Sequence, residues 1–228
     1  MQSFDVQLQF NRIWICFFML ALHSSIGGNL INYVFSDFAL APQVSTAYIL
    51  SAIIGGVLKL PVAKTLQLWG RAEALLVSIA VYIVGMILLA ACNNANAFAA
   101  GYVIYWVGYY MVYLILDIFV ADTSGMRSRA FAFAFASTPF ICTAFTGPLA
   151  ATHVRLNSGW RWGYGIFCIV QPVVLCPLAL VFKFYEKKAI KMGIWEHRSS
   201  GRTTMESIIH YVHEFDGKVL LLRPVTMT

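Results

Sequence analysis

The sequence predicts an all-α membrane protein, a bundle of six transmembrane helices followed by a cytosolic segment. Three observations carry that fold class. The 228 residues are 60% hydrophobic and only 11% charged, a balance that suits lipid and not a water-facing surface. Six apolar stretches each approach the roughly 20 residues that a helix needs to cross about 30 Å of hydrocarbon. Basic residues collect in every second gap between them.

The expected spans are 13–34, 42–63, 72–91, 97–121, 130–151 and 163–183. The first competes with a secretory signal peptide, because Arg12 precedes a short apolar core over 13–22. His23, Ser24, Ser25, Gly27, Gly28, Asn29 and Asn32 continue that stretch as the polar inner face of a helix rather than as a cleavage site. Placing the N-terminus in the cytosol puts fourteen Lys and Arg inside and leaves only Arg155 and Arg161 outside. The expected organisation is therefore a cytosolic N-terminus over 1–12, a six-helix bundle over 13–184, and a cytosolic segment over 185–228 that ends on the start of a seventh span.

Several function classes drop out. The net charge of +6 follows from topology and gives no reason to invoke nucleic acid. Cys16, Cys92, Cys142, Cys168 and Cys176 are scattered through apolar sequence without ligand spacing, which reads as buried small hydrophobes and not a metal site. No nucleotide loop or hydrolase elbow is present, so neither an enzyme nor a primary pump is expected, and no cofactor is implied. Transport, channel activity or an intramembrane scaffold remain.

Charged and helix-breaking residues mark the places to examine. The link from Lys59 to Glu73 contains Lys64, Gly70 and Arg71; it reads either as a basic loop that sets topology or as a tight turn whose charges reach neighbouring helices. Asp117 lies within the fourth span, where an unpaired charge costs several kcal/mol, so it is either a proton-titrating carboxylate or half of an ion pair with Arg71, Arg127 or Arg129. Asp122 reads as structural. In the fifth span Pro139 and the pair Gly147 and Pro148 free backbone carbonyls and can bend the helix. Beyond the bundle, Thr203 and Glu206 form a capping box, and Met205, Ile208, Ile209, Val212 and Phe215 predict an amphipathic helix along the inner membrane surface.

The Gly70-Arg71 pair after the second span resembles the loop signature of the major facilitator superfamily. The segment 121–130 with Asp122, Arg127 and Arg129, the Trp160-Arg161-Trp162 start of span six, and the loop from Ser200 to Asp216 make the chain similar to fungal siderophore iron transporters over nearly its whole length. The resemblance implies half of a major facilitator fold and a proton-coupled carrier of ferric siderophores. It implies a cytoplasmic gate at Lys64, Gly70, Arg71, Asp122, Arg127 and Arg129, although Gln67 stands where the family pattern has an acidic residue. Gly27 stands where members often carry an acid in the first span, and His23 and Asn29 supply the nearest polarity. A bulky ferric chelate needs aromatic walls and hydrogen-bond groups, which Asn32, Tyr33, Trp106, Tyr109, Tyr110 and Tyr113 offer alongside a packing role.

Facilitator carriers have two six-helix halves with substrate between them. This sequence supplies one half, so the expectation is an N-terminal fragment or truncated product whose partners are lipid, protons, ferric siderophore and a missing C-terminal half. The implied location is the plasma membrane, with endosomal or vacuolar membrane as the alternative. Two other readings stay open: a nontransporting membrane protein that associates with or regulates a full carrier, and a facilitator of another small molecule.

Overall fold

A computed structural model describes residues 2–37, 42–69 and 71–191. They form six helices: α1 Gln2–Asp37, α2 Pro42–Trp69, α3 Arg71–Ala91, α4 Ala95–Thr123, α5 Arg129–Ser158 and α6 Trp160–Lys191. All six are long and apolar enough to cross a membrane. The chain divides into two compact units, Met1–Phe184 and Tyr185–Thr228; of the second, only the continuation of α6 to Lys191 belongs to the described residues. Gly70 and the expected amphipathic helix from Thr203 to Phe215 lie outside them, as does the side chain of Lys64.

The helices overrun the expected spans, and one consequence is a correction. The link from Lys59 to Glu73, whose first residues overlap the expected span 42–63, is helical as far as Trp69 as the last part of α2, and α3 begins at Arg71. Leu, Ala, Lys and Gln in this stretch are good helix formers, and Pro61 is accommodated within the helix. Lys59 therefore stands on a helix inside the apolar span Ser45–Ala63.

α4 is the hub, packing against α1, α2, α3 and α5. Its buried residues include Phe98, Gly101, Tyr102, Tyr105, Gly108, Val112, Ile115 and Phe119, which recur every three or four positions and form one continuous face. The approach to α3 is close because glycine on each helix faces tyrosine on the other: Gly85 lies against the Tyr105 backbone, and Gly108 against the backbone of Tyr82. Small residues bring membrane helices into close contact in this way, since lipid gives apolar side chains no reason to prefer protein.

α5 follows the same logic against α1. Ala132, Ala136, Gly147 and Ala151 face inward, whereas Phe131, Ile141, Phe145 and Leu149 are exposed on the opposite flank. A side chain at Gly147 would collide with Ser25, whose hydroxyl donates to the Thr143 carbonyl at 2.9 Å. The helix continues unbroken through Pro139 and Pro148. Pro139 has no N–H for the Phe135 carbonyl, and the Thr138 hydroxyl donates to that carbonyl instead at 2.6 Å. Cys142 corrects the expectation of uniformly buried cysteines: it is exposed on the outer flank, while Cys16 and Cys92 are buried.

α6 is held to α1 by side-chain bonds. Gln171 Nε2 donates to the Met19 carbonyl at 3.1 Å, and Phe119 of α4 stacks on Phe182 at 3.9 Å. Between α5 and α6, Gly159 has φ 78°, and its N–H closes the helix onto the Arg155 carbonyl at 3.3 Å. Because side chains disfavour that backbone region, Gly159→Val is expected to cost about 1–3 kcal/mol. Thermal unfolding of the purified protein in detergent would show this, and an unchanged midpoint would refute it.

Candidate functional site

The described candidates fall into two zones. The first lies where α3 begins and α4 ends. Arg71 sits at the N-terminus of α3 and Asp122 in the last turn of α4, each the wrong charge for its own helix dipole. Because the two helices pack together, each group instead complements the neighbouring helix end, and the guanidinium is ion-paired directly with the Asp122 carboxylate. Glu73, in the first turn of α3, pairs with Lys183 of α6 at 3.6 Å. Arg129 donates to the Ala121 carbonyl at 3.1 Å and so caps α4. Arg127 is exposed.

These pairs are solvent-accessible, with side-chain exposures of 50% and 32% for Arg71 and Asp122. Such bridges are worth about 0–1 kcal/mol, so these pairs form and break at low cost. The sequence reading included Arg71 and Asp122 but missed the Glu73–Lys183 pair. Opposite charges near the ends of spans three and six were a visible signal, but their partnership depends on how α6 is placed.

The second zone is the α1–α4 face. Trp106, Tyr109, Tyr110 and Tyr113 form one aromatic run on α4, with centroid separations of 5.1 Å for Trp106–Tyr109, 5.4 Å for Trp106–Tyr110 and 6.2 Å for Tyr109–Tyr113. Phe17 of α1 meets Tyr113 edge-on at 5.7 Å, and Phe140 of α5 does so at 6.1 Å. Tyr109 is buried. Half-buried Asp117 follows Tyr113 by one turn. The sequence alternatives for its partner were arginines, but Arg71 is engaged by Asp122 and Arg129 by a backbone carbonyl. On the neighbouring helix α2, Lys59 places its ammonium 5.9 Å from the centroid of the Tyr110 ring, two turns before Asp117 on α4.

Asn32 and Tyr33 are not brought into this cluster. Tyr33 comes sixteen residues after Phe17, about 24 Å further along α1. The Arg155 guanidinium lies 4.3 Å from the centroid of its ring, and Asn32 is exposed.

His23 is a fully enclosed polar group on α1. Its Nδ1 lies 2.6 Å from the Tyr82 hydroxyl of α3. Phe167 of α6 stacks on its ring at 4.4 Å, while Tyr105 and Tyr164 approach edge-on at 5.3 and 6.1 Å. The Tyr164 hydroxyl donates to the Gly27 carbonyl at 3.5 Å. Asn29 is satisfied within α1, donating to the Ser25 carbonyl at 2.7 Å. His23 thus joins α1, α3, α4 and α6 through ring contacts, a role hidden in the sequence because its partners come from three distant segments.

The described residues thus form a bundle of six membrane-length helices with glycine-mediated crossings and an Arg71–Asp122 ion pair where α3 begins and α4 ends. The sequence model of the Major Facilitator Superfamily matches residues 13–206, and the chain belongs to that superfamily as an integral, multi-pass membrane protein. It is 62% identical over 212 residues to siderochrome iron transporter 2 of Aspergillus fumigatus, covering 92% of this chain and 35% of that protein. It is 41% identical over 211 residues to MFS siderochrome iron transporter 1 of Ajellomyces capsulatus, covering 92% and 36% respectively. Against siderophore iron transporter mirB of Emericella nidulans the identity is 36% over 221 residues, covering 96% and 37%. The chain spans about a third of the length of these relatives.

Proposed function

We propose that this chain is the N-terminal half of a secondary active carrier that imports ferric siderophores together with protons. The observation that carries this reading is similarity over more than nine-tenths of the chain to proteins named as siderophore iron transporters. The aromatic run from Trp106 to Tyr113 supplies one wall of the substrate path, and Asp117 at its end carries the coupled proton. Arg71 and Asp122, with Lys64, Gly70, Arg127 and Arg129, form the cytoplasmic gate. The charge distribution supports a cytosolic N-terminus, a bundle over 13–184 and a cytosolic segment after it. We place the carrier in the plasma membrane and assign it no enzymatic role.

The test is uptake of iron-labelled hydroxamate siderophore by cells lacking their own carriers. Expressed alone, the chain is expected to give no uptake; joined to a facilitator C-terminal half from a relative, it is expected to transport. In the joined protein, Asp117→Asn should remove most of the acid-driven component. Full acid stimulation in that variant would exclude Asp117 from coupling.

In a second reading, the chain binds full-length carriers of this family and alters them without transporting. Coexpression distinguishes the two: copurification with a carrier and changed uptake support the second reading.

A further inference from the structure

We infer that Lys59 is the counter-ion of Asp117 and that these two residues, with Tyr110 between them, form a lysine–aromatic–carboxylate switch on the seam between α2 and α4. For its role in transport the inference rests on the reading of Asp117 as a coupling carboxylate; the existence of the pair does not.

The seam is built for Tyr110. A Cβ at Gly55 of α2 would collide with the Tyr110 ring, so this glycine lets the ring lie directly on the α2 backbone. One turn further along α2, the Lys59 ammonium stands 5.9 Å from the centroid of the same ring. That is cation–π range, and it gives a lysine inside an apolar span a resting place other than water. Asp117 follows Tyr110 by seven residues, two turns along the same face of α4 and about 10 Å away. The four-methylene stem of lysine bridges such a gap by swinging along the seam.

Among the other described charges of the bundle, Arg71 is paired with Asp122, Lys183 with Glu73, and Arg129 with the Ala121 carbonyl, while Lys59 itself is exposed. Tyr113, one turn before Asp117, is met by Phe17 from α1 and Phe140 from α5, neither of them charged. The described ion pairs do not include Lys59 with Asp117, so the structure shows the state in which the ammonium rests on the ring. Ionised Asp117 draws the ammonium off Tyr110 and pulls α2 onto α4; a proton on Asp117 releases it back to the ring. Protonation is thereby converted into movement of α2 against α4. Lys59 is a positioning residue, acting through Asp117.

The test uses the purified 228-residue chain in detergent and an apolar carbodiimide, dicyclohexylcarbodiimide. A carboxyl group adds across the carbodiimide to give an O-acylisourea; the lysine amine then displaces dicyclohexylurea, forming an isopeptide with net loss of water. Peptide mass spectrometry should find a Lys59–Asp117 crosslink, with Glu73–Lys183 at 3.6 Å as the internal standard. Lys59→Met should abolish only the first crosslink. Tyr110→Ala should raise its yield by about twofold or more, because the ring no longer holds the ammonium. A Glu73–Lys183 crosslink accompanied only by urea adducts at Asp117 would overturn the pair. A second measurement needs no reagent. Lys59→Asp alone should lower the unfolding midpoint, and adding Asp117→Lys should restore it; a double variant no better than the worse single one overturns the pair. If the crosslink forms while Asp117→Asn retains acid-driven uptake in the joined carrier, the pair stands and the coupling role falls.

Discussion

Gly108→Val is expected to prevent α3 and α4 from docking and to remove most of the monodisperse protein recovered in detergent. A Cβ at this position would lie 2.5 Å from Tyr82 Cα and 2.6 Å from its backbone nitrogen, nearer than real Cβ contacts come. A clash with a flexible side chain can be relieved by rotation, but a clash with backbone moves a whole helix. Overpacking in ordinary cores costs about 1–3 kcal/mol, and here the reciprocal contact of Gly85 with the Tyr105 backbone denies α4 a compensating shift. Because α4 also carries contacts to α1, α2 and α5, its displacement spreads through the bundle. Gly56→Ala is the matched control, since nothing lies within 4 Å of a Cβ there, and alanine is the better helix former. Size-exclusion profiles and thermal unfolding of the two variants check the prediction; a Gly108→Val protein as stable as the parent would contradict the close crossing.

His23→Ala should have the next largest effect. It deletes a fully buried ring and strips the Tyr82 hydroxyl of its partner at 2.6 Å. Truncation of a large buried side chain costs about 3–5 kcal/mol, and an orphaned buried polar group adds about 1–3 kcal/mol. His23→Phe restores volume without the hydrogen bond, so it should recover the packing part alone. Combining it with Tyr82→Phe removes both members of the bond and should cost less than the sum of the two single changes. Denaturation of the purified protein in mixed micelles measures all four proteins. Equal midpoints for His23→Ala and the parent would mean that the ring is not the junction of four helices described above.

The helices were legible because lipid imposes a length and a hydropathy on every crossing segment, and both are written in consecutive residues. Their ends were less legible. Lys59 was read both inside the span 42–63 and at the start of the following link, because charge normally marks the end of a span, yet α2 runs on past it to Trp69. Hydropathy averages over side chains, whereas the helix continues as long as its backbone bonds do. The ion pairs were half visible: Arg71 and Asp122 stood out as charges at span ends, but Glu73 and Lys183 could be joined only once α6 was placed. The aromatic candidates divided along the same line. Trp106, Tyr109, Tyr110 and Tyr113 share one helix, so their spacing brought them together, whereas Tyr33 depended on where α1 lies and is covered by Arg155.

By itself the sequence determined six crossing helices, the side of the membrane its charges favour, and a resemblance in loop residues that hydrophobicity does not constrain. These properties are local or additive along the chain, so they need no neighbours to be read. Only the tertiary structure decided that His23 meets Tyr82, that Gly108 and Gly85 set the α3–α4 distance, and that the Lys59 ammonium lies over the Tyr110 ring. Each is a meeting of residues far apart in the chain, and in a membrane nearly every helix face is apolar, so composition cannot say which faces touch. Close packing decides that, through the few positions where a glycine admits a ring or a buried polar atom requires its partner.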